Sequence, residues 1–113
     1  MKHDTLKDKI RGCLMAGAAG DALGYEVEFM CRRSILSRVG ENVITKFSLD
    51  YNGKALISDD TQMTLFTANG LLTGITMNRM EHSSCKAELI VTTAYLDWFY
   101  TQTREEGKHE QIT

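Results

Sequence analysis

Apolar residues recur at helical spacing in three stretches of this chain, and those stretches set the predicted elements. In the first, Leu6, Ile10, Cys13, Leu14, Gly17 and Asp21 share one face by i, i+3 and i+4 steps, while Lys7, Lys9 and Arg11 point elsewhere. Thr5-Leu6-Lys7-Asp8 fits the capping box, a hydroxyl followed three residues later by a carboxylate, so a helix is expected to begin there and to run into a Gly-rich turn at Gly24. In the second, Met63, Phe66, Thr67, Gly70 and Leu71 line a helix from about Asp59 to Leu72, with Gly74 as its expected stop. The third runs from about Cys85 to Thr103 on Ala87, Ile90, Val91, Ala94 and Trp98. There Leu89, Leu96, Phe99 and Tyr100 widen the apolar surface beyond what one neighbouring helix would cover.

Residues 25 to 57 read as a long connection holding one short helical piece around Ser34 to Val39. Asn52-Gly53 is a turn signal, and the flanks Phe47 to Tyr51 and Lys54 to Ile57 suit the arms of a small hairpin. A connection of this length inside a small domain is itself a hint of function. The tail from Arg104 to Thr113 is polar and is expected to fray or to lead into further structure. There is no internal repeat and no low-complexity segment.

Composition narrows the classes. At 113 residues, 42% hydrophobic and 25% charged, the chain is one domain in size, too short for two, and apolar enough to bury a core rather than stay disordered. The absence of proline favours helices. A net charge of −2 gives no sequence-wide reason to expect nucleic acid or anionic lipid as partner. No apolar run approaches the ~20 residues of a membrane helix. Asp4 and Asp8 break up the basic start that a signal peptide would need. Cys13, Cys31 and Cys85 are odd in number and form no C-x-x-C pair, which points to free thiols, and a cytoplasmic location is the expectation.

Among residues that carry chemistry, Asp59 and Asp60 lead. One carboxylate in a first helical turn is a cap, favoured by the dipole and the free N–H groups. Two adjacent ones at ~5 Å repel by roughly 3 kcal/mol at an effective dielectric near 20. A divalent cation would reverse that penalty, and Ser58, Asp59 and Asp60 together offer a hydroxyl and two carboxylates of the kind Mg2+ or Mn2+ takes. Asp21 continues an apolar stripe, and a carboxylate there needs donors or a cation: it either hydrogen-bonds the N-terminus of a neighbouring helix, caps the turn at Gly24, or serves a site. Gly17, Gly20 and Gly24 leave room for close approach of another backbone or a ligand. Glu26 and Glu28, if their segment is extended, face one way while Val27 and Phe29 face the other, although solvated surface is the more common outcome for such a pair. His3, His82 and His109 have no metal-helix spacing and read as surface residues, as do Arg32 and Arg33. Cys13, Met63, Phe66, Trp98 and Phe99 read as core.

Taken together, the segments Ile10-Arg11-Gly12-Cys13-Leu14-Met15-Ala16-Gly17-Ala18-Ala19-Gly20-Asp21-Ala22-Leu23-Gly24, Val27-Glu28-Phe29 and Ile57-Ser58-Asp59-Asp60-Thr61-Gln62-Met63 resemble the N-terminal part of the ADP-ribosylglycohydrolase family. Ala94-Tyr95-Leu96-Asp97-Trp98-Phe99-Tyr100-Thr101-Gln102 is similar to that family's next helix. The resemblance implies an all-α fold around a pair of Mg2+ ions that hydrolyses the bond between ADP-ribose and a protein side chain or small acceptor. By position it makes Ser58, Asp59 and Asp60 metal ligands and puts Glu28 on a mobile segment gating the cleft, where it would assist proton transfer. Gly20 and Asp21 would support the site from the first helix, Thr61 would orient Asp60 or the turn, and Asp97 receives no role. It further implies that residues 1–113 are a single partial domain. The family's C-terminal part brings a further Asp-x-Asp-Thr ligand set, and no such sequence follows residue 61 here. The chain alone is then expected to be weakly active or inactive, to self-associate, or to need a missing C-terminal half. The alternative from another class is a non-catalytic helical binding module on the same scaffold, with Asp59 and Asp60 as caps.

Overall fold

A computed structural model describes residues 2–41, 44–81 and 84–103, with the side chains of residues 2, 3 and 81 left aside. The expectations for His82, His109 and the tail from Arg104 lie outside the described residues, as does that for the His3 side chain. The described chain is all-α, with four helices in the order α1 (Lys2–Gly24), α2 (Arg32–Val39), α3 (Asp59–Glu81) and α4 (Ala87–Thr103). It divides into two units, Met1–Thr64 and Leu65–Thr113.

In the first unit, α1 begins ahead of the expected Thr5, so the capping box lies inside the helix. Asp4, in the first turn, complements the positive end of the helix dipole instead. After Gly24 the chain turns rather than extends: the Val27 N–H donates to the Gly24 carbonyl at 3.0 Å and the Met30 N–H to the Val27 carbonyl at 2.9 Å. The condition for a shared strand face is therefore not met, and Glu26 and Glu28 are both exposed, as expected of a solvated pair. Glu26 pairs with Arg38 of α2. That short helix starts two residues before the expected Ser34 and ends at the expected Val39, with Gly40 as its C-cap, whose N–H donates to the Leu36 carbonyl at 2.8 Å. The expected hairpin is reduced to one bridge, Leu49 to Ala55. Its turn is as expected. Gly53 has φ 73°, a value that favours glycine, and Asp50 Oδ1 accepts the N–H groups of Asn52 at 2.8 Å and Lys54 at 2.9 Å.

In the second unit, α3 continues to Glu81, and Gly74 is not a stop. A Cβ at Gly74 would run into the Ile90 side chain of α4, and one at Gly70 would sit 2.7 Å from Ala94 Cβ. The glycines let the two backbones come together, and that contact offsets their low helix propensity. By contrast an added Cβ at Gly12, Gly17, Gly20 or Gly24 of α1 meets nothing within 4 Å, so the close approach expected along α1 is not formed among the described residues.

Among the described residues, Ala22 and Ala94 are the buried hydrophobic side chains, at 5% and 3% exposure. This corrects the expectation of a substantial core. Cys13 is exposed, as are Cys31 and Cys85, and all three thiols are free. Phe99 is exposed, and Met63, Phe66 and Trp98 are only half-buried. The physical reason is geometric: within the second unit α3 and α4 come together along the narrow line of Gly70, Gly74, Ile90 and Ala94, and in the first unit most of the α1 stripe is exposed. No helix is long and apolar enough to cross a membrane among the described residues.

Candidate functional site

The end of α1 and the start of α3 are joined by one carboxylate. Asp21 Oδ2 accepts the Ser58 N–H at 2.8 Å, the Thr61 N–H at 3.3 Å and the Thr61 hydroxyl at 2.5 Å. Thr61 is buried at 7% exposure, and Ala22, beside Asp21 in α1, is also buried. Of the readings open for Asp21, the structure gives the hydrogen bond to a neighbouring helix N-terminus. Burial pushes the Asp21 carboxyl up, but the hydrogen bonds from Thr61 and Ser58 outweigh it and hold the group below the usual carboxylate value.

Each early N–H of a helix needs an acceptor outside the helical ladder. Here the Asp60 N–H donates to Ser58 Oγ at 3.1 Å and the Thr61 N–H to Asp21, and the helical ladder itself opens with the Gln62 N–H on the Ser58 carbonyl at 3.3 Å. Ser58 is therefore the N-cap of α3 by its own side chain, and Asp21 caps it from another helix. Asp59 and Asp60 do neither. Both are exposed, and no described residue donates a hydrogen bond to either carboxylate.

The structure thus brings together Asp21, Ser58 and Thr61, with Asp59 and Asp60 carried on the same turn. Gly20 precedes Asp21 in α1 and faces open space. Glu28 is exposed in the turns after α1 and makes no hydrogen bond or ion pair to residues 58–61 among the described residues. No group of three or more His, Cys, Asp or Glu side chains among the described residues is placed to hold a metal ion. Ser58, Asp59 and Asp60 nonetheless fit a hard divalent cation in kind. They are adjacent oxygen donors, and neither carboxylate is engaged elsewhere; Mg2+ commonly takes one or two carboxylates and completes its shell with water and substrate oxygens.

One feature was not anticipated from sequence. Within the second unit an open cavity of about 430 Å³ lies along α3 and α4, lined among others by Phe66, Asn69, Met77, Leu89 and Thr93, with Asp97 at its wall. The wide apolar surface of the third predicted helix was the signal for it.

Compared with known proteins, residues 2–112 match the family model described as ADP-ribosylglycohydrolase. No curated protein and no solved structure gives a match.

Proposed function

This chain belongs to the ADP-ribosylglycohydrolase family, and from that premise we propose that it serves metal-dependent hydrolysis of the glycosidic bond joining ADP-ribose to a protein side chain or small acceptor. Hydrolysis of the ADP-ribosylglycohydrolase type is what the family match indicates. The cation site, the ligands and the acceptor are our reading. The observation that carries it is that the start of α3 is capped by Ser58 and Asp21, which leaves the carboxylates of Asp59 and Asp60 exposed and without a structural partner.

In this reading Ser58, Asp59 and Asp60 hold Mg2+, with Mn2+ as a substitute and a second ion in the complete site. The bound cation supplies Lewis acidity and orients ribose hydroxyls and water. The chain's own residues do the rest. Asp21 and Thr61 hold the turn, and Gly20 keeps the end of α1 slender beside it. Glu28, exposed on its turn, is the carboxylate assigned to proton transfer at the attacking water or the leaving group. Two carboxylates and a hydroxyl are few protein donors for such a cation, so water, substrate or further protein would supply the remaining oxygens. The scarcity of buried side chains supports further protein packing against these helices, from another copy or a C-terminal half.

The test is calorimetric titration of ADP-ribose into the chain in Mg2+, with the Asp59→Ala, Asp60→Ala double variant beside it. Thermal melts with and without Mg2+ accompany it. Binding and a Mg2+-dependent rise in melting point that vanish in the variant are expected. A folded chain that responds to neither Mg2+ nor ADP-ribose would favour the non-catalytic scaffold.

A further inference from the structure

We propose that Asp21 is a positioning residue that sets the cation affinity of the Ser58–Thr61 turn by capping α3 from outside, so that Asp59 and Asp60 are spared for an external ligand. The inference rests on the cation reading above and deepens it.

The nearest acceptors for the first N–H groups of a helix are the carboxylates of its own first turn. In α3 those are Asp59 and Asp60, and any N–H they satisfied would cost them a lone pair and fix their direction inward. Instead one oxygen from a residue 37 positions upstream of Ser58 and 40 upstream of Thr61 takes the Ser58 N–H, the Thr61 N–H and the Thr61 hydroxyl. Three donors converging on one oxygen from both sides of the Asp59-Asp60 pair fix the backbone on either flank of it. Thr61 spends its hydroxyl proton on Asp21 and is buried, which makes it part of the anchor and not a free donor to a ligand. Ser58 keeps its own hydroxyl oxygen on the Asp60 N–H, so that N–H does not recruit a carboxylate either.

Removing the outside cap exposes the Ser58 and Thr61 N–H groups to the next available acceptors, which are the two carboxylates themselves. Asp21 therefore acts through placement, and an amide oxygen in the same position does most of its work, because it accepts the same three donors.

The experiment is titration of the full chain with Mn2+, read by the electron paramagnetic resonance signal of free Mn2+, with amide hydrogen exchange at Ser58 and Thr61 measured in parallel. Asp21→Ala is expected to weaken Mn2+ binding by about 10- to 100-fold, the range seen when a residue that orients a metal ligand is lost. Asp21→Asn is expected to restore affinity to within a few-fold of the parent and to keep both amides protected. Thr61→Val removes only the hydroxyl donor and gives a smaller loss, which keeps the test open should Asp21→Ala not fold. Parent-like affinity in both Asp21→Ala and Thr61→Val overturns the inference, and so does an Asp21→Asn chain as weak as Asp21→Ala, which would mean that charge and not placement matters. The control is Asp59→Asn, Asp60→Asn: Mn2+ binding that survives it, or a parent chain that binds none, overturns the cation reading itself and this inference with it.

Discussion

The start and the middle of α3 are secured by opposite kinds of contact. At its start, a few polar atoms of Asp21, Ser58 and Thr61 fix the backbone by directed hydrogen bonds. In its middle, Gly70 and Gly74 hold α4 by the absence of side chains, against Ala94 and Ile90. The first depends on chemistry and is sensitive to protonation; the second depends on shape and is not. Specific direction suits a turn that presents reactive groups, whereas close packing suits a scaffold, because dispersion is undirected and grows with contact.

The contrast can be broken most sharply in the glycine notch. Gly70→Val forces a branched side chain where even a Cβ lies 2.7 Å from Ala94 Cβ, and Ala94 has no rotamer by which to withdraw. Urea melts should show a loss of about 3 kcal/mol. Next comes the polar end: Asp21→Ala strands three donors and should cost about 2 kcal/mol. Its pH dependence carries a sign. The folded-state pKa of Asp21 is lowered, so its stabilisation is present above the unfolded value of about 3.9 and is lost as pH falls through the folded value. Asp21→Asn should flatten that acid limb of the stability curve, and nothing in the glycine notch should.

Smaller effects sharpen the same distinction. Ser58→Ala removes the hydroxyl that caps Asp60 and should cost about 1 kcal/mol in a melt. Gly12→Ala, in α1 where an added Cβ meets open space, should stabilise by somewhat under about 1 kcal/mol through helix propensity. A Gly12→Ala chain that is destabilised would mean that α1 packs against something there.

Much of this was legible in the sequence, for reasons that separate local from distant causes. The helical runs, the Asn52-Gly53 turn and the Ser58-Asp59-Asp60-Thr61 start of α3 depend on neighbours within a few residues and are found in the structure, whereas several helix ends fall elsewhere, α3 running on to Glu81. Gly74 was misread as a stop because its meaning depends on Ile90, sixteen positions away, and helix propensity is blind to such a partner. The stretch after Gly24 leaves its backbone open in the sequence, because alternating Glu and hydrophobic residues suit a strand and a run of turns alike; the turns settle it, and Glu26 and Glu28 are exposed as such a pair usually is. Asp21 was seen as needing donors, but which donors could not be read from spacing, since they lie 37 and 40 positions downstream. The expected core failed for a different reason: apolar stripes tell which faces want cover, and the described helices leave most of them exposed.

The Asp21 clasp also has a polymer consequence. By tying residue 21 to residue 58 it closes the intervening connection into a loop whose ends are fixed whatever lies between them. Closure entropy rises only logarithmically, about 0.6 kcal/mol for each doubling of loop length. Insertions and deletions around the turn at Gly53 therefore perturb the carboxylate turn little, and the segment that carries Glu28 can diverge in length and composition while its two anchor points hold still. Length variation in that loop leaves the start of α3 where Asp21 holds it.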